Sequence, residues 1–219
     1  MDGSYSGAFR AELADLMRWR RDVRRFRSDP VAADVLARCL AAFGLAPSVG
    51  LSEPWRVIAV ESAAARAAAL ANFKAANGQA LAGYVGEKAR LYSQLKLSGM
   101  REAPLQLAVF CDDGTAKGAG LGAATMPETR AYSVVGAITL FWLAARAEGL
   151  GMGWVSLFDP QALAKLLAIP DGGKPVAVLC LGQVEAFYPA PMLQLEGWRS
   201  PQALGEMLFE NTWGCRSAT

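Results

Sequence analysis

TRAYSVVGAITLFWLAARAEGLGMGWVSLF, residues 129–158, carries the strongest structural signal in the chain. From Thr129 to Glu148 the side chains are apolar nearly all round, which predicts a helix buried on several sides, at the core and at a subunit interface. Gly149 is placed to end it. Gly151-Met152-Gly153-Trp154-Val155-Ser156-Leu157-Phe158 then reads as a strand, glycine-rich where it begins. A helix and strand of this kind, in a chain of 219 residues, fit one α/β or α+β domain with a sizeable core.

Outward from this stretch, Arg56–Val60, Leu105–Cys111 and Pro175–Val184 read as further strands. Ser62–Ala76 reads as an alanine-rich helix, and Gly78–Leu97 as a more polar one broken at Ser98-Gly99. Asp29-Pro30 and Asp159-Pro160 each look like an N-cap followed by proline at the first helical position. Phe9, Leu13, Leu16 and Met17 recur at helical spacing near the start. Glu185–Ser200 reads as irregular, and Ser200-Pro201 as the start of a last helix. Gly118-Ala119-Gly120-Leu121-Gly122 does not directly follow a strand and lacks the spacing of a dinucleotide fingerprint, so that reading is rejected. No repeat or linker divides the chain, and a single domain over 1–219 is expected.

Composition removes several chemistries. There are no histidines, so a Ser-His-Asp triad, a Cys-His pair and a His-bearing zinc site are all excluded, and no metal is expected. The four cysteines form no CxxC and suit a reducing cytoplasm. A net charge of +2 gives no electrostatic case for nucleic acid. The N-terminus holds acids and no hydrophobic region, unlike a signal peptide. Ala131–Ala145 is too short to span a bilayer, so no membrane is expected.

Against that balanced charge, Arg18-Trp19-Arg20-Arg21-Asp22-Val23-Arg24-Arg25-Phe26-Arg27 holds six arginines in ten residues. Guanidinium groups bind phosphate bidentately, and a pocket that binds an anion and also handles a proton would use the lone acid, Asp22. The alternatives are a solvated basic turn and a structural ion pair from Asp22 to Arg24 or Arg25. Arg20, Arg21, Arg24, Asp22, Ser48, Ser156 and Arg199 form the candidate constellation, drawn from separated loops and strand ends. Ser156, within an apolar strand, reads equally well as a small residue bonded to backbone.

The chain resembles the nitroreductase-like flavoprotein family. The resemblance is carried by Arg20–Arg24, by Pro47-Ser48-Val49-Gly50 with Glu53-Pro54-Trp55, by Met126-Pro127-Glu128 and by Ala144–Ser156. It is most specific to the branch that has an aspartate at the position of Asp22 together with the segment Leu91–Gly99 and Trp154-Val155-Ser156. The resemblance implies an α+β fold with a central, mostly antiparallel sheet surrounded by helices, an intertwined homodimer, and an active-site lid over about 80–101. It also implies an enzyme that takes reduced FMN as substrate and reacts it with dioxygen. The flavin is fragmented to 5,6-dimethylbenzimidazole, the lower ligand of vitamin B12, and erythrose 4-phosphate. A separate NAD(P)H-dependent flavin reductase would supply the reduced flavin.

Residue by residue, the resemblance places Arg20, Arg21 and Arg24 on the FMN phosphate and ribityl chain, with Arg199 as a further phosphate partner. It places Val23, Pro47, Ser48, Leu97, Trp154 and Val155 against the flavin. Asp22 would act as general acid or base and Ser156 would assist proton transfer. Glu53 departs from the neutral amide usual in its loop. Two other readings compete: an NAD(P)H-dependent FMN oxidoreductase acting on nitroaromatics, quinones or cob(II)yrinate, and a non-enzymatic flavin-binding protein.

Overall fold

The computed structural model describes residues 3–215. Four strands, β1 (Trp55–Ala59), β2 (Leu105–Asp112), β3 (Gly151–Val155) and β4 (Gly173–Gly182), form one sheet in the order β1-β2-β4-β3. Every pairing in it is antiparallel. β2 shifts register against β4 between Val109 and Phe110, beside Pro175, which lacks the N–H a regular ladder needs.

Both faces of the sheet are covered, which is why β2 is a nearly continuous apolar run. Leu107, Val109, Leu179 and Leu181 face Val134, Ile138 and Phe141 of the long helix α5 (Thr129–Ala147). Alternate residues Ala108, Phe110, Val178 and Cys180 face Phe73 of α3 (Ala63–Ala82) and Leu163 of α6 (Pro160–Leu166). α5 ends as its sequence requires. Gly149 takes φ 79°, Leu150 N–H bonds Ala145 O at 2.9 Å and Gly149 N–H bonds Arg146 O at 3.1 Å, closing the last turn.

The other helices are α1 (Gly7–Trp19), α2 (Ala33–Ala41), α4 (Gly86–Gln94) and the single turn α7 (Met192–Leu195). Asp159 caps α6 as expected, accepting from the N–H groups of Gln161 and Ala162. Several expectations are corrected. Asp29 caps nothing: its carboxylate pairs with Arg27, and α2 begins at Ala33 after an uncapped Ala32. α3 runs through Gly78 to Ala82, because its alanine-rich flanks outweigh one glycine's cost of about 1 kcal/mol. The strand that opens at Gly151 stops at Val155, leaving Ser156 exposed beyond it. The last helix is reduced to a 3-10 turn at Leu204–Glu206, since Leu204, Met207 and Leu208 are exposed with no surface to pack on.

α1 and α5 leave apolar side chains facing outward. Phe9, Leu13 and Met17, spaced four residues apart on α1, and Tyr132 and Val135, three apart on α5, are all exposed. No helix among the described residues is long and apolar enough to cross a membrane.

Candidate active site

The arginine segment is an extended strip laid along β3. Val23 N–H bonds Met152 O at 2.9 Å and Asp22 pairs with Met152 in a parallel bridge. The glycines of β3 make this approach possible. A β-carbon at Gly153 would stand 2.1 Å from Val23 O, and one at Gly151 would stand 3.1 Å from the Val23 side chain. Phe26 is seated in the same way: β-carbons at Gly99 and Gly182 would meet its ring at 2.2 and 3.5 Å.

Once the strip is docked, its charges are fixed. Asp22 Oδ1 accepts from Trp154 N–H at 2.8 Å, and Oδ2 accepts from Arg24 Nε at 3.1 Å. The Arg24 guanidinium is nearly buried and also donates from Nη1 to Lys96 O at 3.0 Å. Arg21 donates to Tyr188 O at 3.1 Å and Pro189 O at 2.9 Å, tying the strip to the segment that follows β4. The Arg20 guanidinium lies 4.6 Å over the ring of Trp142, which stacks on Trp154. Partial burial and the neighbouring Arg20 charge lower the Arg21 pKa from its ordinary value. Two crowded cations of this kind are a place where a phosphate would be welcome.

A cavity of about 280 Å³ opens on this strip, lined by Arg21, Asp22, Arg24, Lys96, Glu102 and Tyr188 among others. A smaller one of about 160 Å³ shares Arg21, Asp22, Arg24 and Met192 with it and adds Arg20. Five predicted residues, Arg20 through Arg24, are therefore together. Trp154 and Val155 join them through β3, Val155 from within the core.

The remaining candidates stand elsewhere in the protomer. Ser48 Oγ accepts from Glu53 N–H at 3.0 Å, and the adjacent Val49 N–H bonds Ser133 Oγ near the start of α5. Arg20 meets α5 at Trp142, about 13 Å further along the helix axis. Pro47 and Ser48 are thus at the other end of α5 from the arginines. Glu53, the departing residue, pairs with Lys117. Leu97 lines a separate cavity, and Arg199 is exposed next to Trp198. Lys96, Glu102 and the Phe187–Tyr188 wall were not foreseen as site residues. They come from segments with no motif of their own, and only the fold brings them to the arginines.

The geometry can hold an anion beside a carboxylate whose two oxygens already accept hydrogen bonds. Among the described residues, no group of three or more His, Cys, Asp or Glu is placed to hold a metal ion.

The model of the nitroreductase family matches residues 17–183. The chain is 51% identical over 196 residues to a 5,6-dimethylbenzimidazole synthase of Rhodospirillum rubrum, covering 90% of this chain and 93% of that one. It is 48% identical to a 5,6-dimethylbenzimidazole synthase of Rhodobacter capsulatus, covering 90% and 95%. Among solved structures, iodotyrosine deiodinase bound to FMN and 3-iodo-L-tyrosine superposes with a TM-score of 0.68 at 23% identity, covering 81% of this chain and 92% of that one.

Proposed function

We propose that this chain, which belongs to the nitroreductase family, is a 5,6-dimethylbenzimidazole synthase that fragments reduced FMN with dioxygen. The observation that carries the reading is the likeness to synthases of that name at 51% and 48% identity over 90% of the chain. The two competing readings, a general FMN oxidoreductase and a flavin-storage module, have no observation of comparable weight behind them.

The site fits a flavin phosphate. Arg20 and Arg21 are crowded without a carboxylate of their own, and an incoming phosphate relieves that repulsion. In this proposal Arg20, Arg21 and Arg24 hold the phosphate and ribityl chain, with Arg199 as a further partner. Reduced FMN supplies the electrons that activate dioxygen and the ring that becomes the benzimidazole. Asp22 handles the protons. The hydrogen bonds from Trp154 N–H and Arg24 hold its carboxylate in place, and Oδ1 keeps a second lone pair beyond the one Trp154 uses. Ser156, exposed just past β3, assists from the strand end. Val23 lines the pocket, Trp154 and Val155 support it from β3, and Leu97 would reach the flavin from the neighbouring cavity.

Pro47 and Ser48 reach a flavin only from a second copy, because within one protomer they lie at the far end of α5. We therefore assign a homodimer in which the outward apolar residues of α1 and α5 are covered and each site draws on both chains. A single-domain protein of the cytoplasm, served by a separate NAD(P)H-dependent flavin reductase and needing no metal, completes the reading.

Mixing the protein with pre-reduced FMN in air and following products by mass spectrometry tests it. The expected product is 5,6-dimethylbenzimidazole; clean return to oxidised FMN would overturn the proposal. Asp22→Asn is expected to keep FMN affinity within about threefold and to lose the product. It also sets an amide NH₂ against a donor, either Trp154 N–H or Arg24, so stability should fall by about 1–3 kcal/mol. Product at the parent rate from Asp22→Asn would remove Asp22 from the chemistry.

A further inference from the structure

The loop between β2 and α5, residues 113–128, carries the glycine run Gly118-Ala119-Gly120-Leu121-Gly122 and lines neither arginine cavity. Gly118, Ala119, Gly120 and Gly122 all have positive φ. The turns close through Leu121 N–H to Gly118 O at 2.9 Å and Ala124 N–H to Gly120 O at 2.8 Å. The run packs on the Ser48 loop. A β-carbon at Gly118 would stand 2.5 Å from Gly50 O, and one at Gly50 would stand 2.9 Å from Leu121 O. One at Gly122 would stand 2.8 Å from Val49 Cγ2. Lys117 pairs with Glu53, and Ser52 is buried against Gly118. By contrast, a β-carbon at Gly120 would meet Ala124 alone, at 3.8 Å.

The Ser48 loop needs such a backing. Leu51 and Glu53 hold φ of 54° and 41°, a left-handed backbone that costs a non-glycine residue and persists where its surroundings over-determine it. Glu53 N–H is the donor to Ser48 Oγ, so the posture of Glu53 fixes that hydroxyl. Because Oγ accepts from Glu53, the Ser48 O–H remains a donor for a ligand. On the other side Val49 N–H bonds Ser133 Oγ of α5 at 3.1 Å. The loop is thus held between α5 and the glycine run.

We infer that Gly118 is a positioning residue for flavin binding, acting through the Ser48 loop on the site whose arginines belong to the second copy. The inference rests on the proposed homodimer, in which Ser48 reaches a flavin across the interface. Gly118→Ala is expected to lower FMN affinity at least about tenfold, because Gly50 O must move and the Ser48 loop with it. Gly120→Ala brings a similar left-handed strain without that contact, and its FMN affinity should stay within about twofold of the parent.

Action across the interface is read in mixed dimers. When Gly118→Ala and Arg20→Ala chains are co-expressed, each heterodimer has one site with the first chain's intact arginines and the second chain's intact Ser48 loop. Tight FMN sites should return to about one quarter of the parent's number, although neither variant alone has them. A defect of the fold as a whole, or one acting on the arginines of its own chain, restores none. Gly122→Ala makes the same measurements if Gly118→Ala impairs folding. Parent-like affinity in Gly118→Ala, or no return of sites in the mixed dimers, overturns the inference. FMN binding is read from flavin fluorescence whatever the product. Restored sites with no benzimidazole from the parent would therefore sink the proposed activity and leave this assignment standing.

Discussion

One methyl group tests the contact on which the site is built. At Gly153 a β-carbon would press on Val23 O at 2.1 Å, a backbone atom that cannot turn aside as a flexible side chain would. Gly153→Ala must push the arginine strip off β3, breaking the Val23–Met152 and Asp22–Trp154 hydrogen bonds or bending the strand. We expect a loss of about 3 kcal/mol by urea unfolding, together with weakened FMN binding. A variant as stable as the parent would show that the strip is not docked there. The example also shows what was legible at this scale. The glycines of β3 stand out in the sequence, but their partner lies some 130 residues upstream, and no local pattern names it. Asp22 and Arg24 were readable as an ion pair or as a site; the fold makes them an ion pair and sets it in the wall of a cavity.

Among the elements, α4 is held by little. Tyr92 is its one buried residue, and the helix is fastened mainly by Trp198, which stands edge-on to Tyr84 and Tyr92 at 5.5 and 6.0 Å. Lys88 adds a cation over the Trp198 ring and a hydrogen bond to its carbonyl at 3.0 Å. Trp198→Ala should therefore speed amide exchange across Gly86–Gln94 by about tenfold, while the core strands keep their protection. Unchanged exchange in α4 would mean that the aromatic cluster is not its fastening. The strands were readable because β2 and β4 are buried on both faces and rich in β-formers. The boundaries of α3, α4 and the C-terminal turn were not. Gly78 looked like a break and passed inside a helix, while the last helix expected from Ser200-Pro201 lacks the packing that would sustain one.

At the scale of the whole molecule, the protomer leaves apolar stripes on α1 and α5 uncovered and parts its own Ser48 loop from its arginines. In the proposed homodimer a second copy answers both. Val135→Asp puts a charge into the stripe at a position already 42% exposed in the protomer. It should yield a folded monomer in sedimentation velocity, with FMN affinity reduced at least about tenfold because Ser48 is lost from each site. A variant that stays dimeric would place the interface elsewhere. The family itself was legible because its marks are local: the Arg20–Arg24 run, the proline-serine loop, and the glycines that join α5 to β3. The assembled cavity was not, since its walls are drawn from segments that share nothing in sequence.

The strip on β3 also fixes a timetable. Asp22 and Trp154 are 132 positions apart, and Arg21 and Tyr188 are 167 apart. At ordinary synthesis rates the second interval takes roughly 8 to 33 s, and until it ends the strip's full set of anchors does not exist. This early-made segment is therefore among the last to be fully anchored. Until then it is a loose polycation beside ribosomal RNA, and the chain's own acid at Asp22 is the nearest counter-ion it carries.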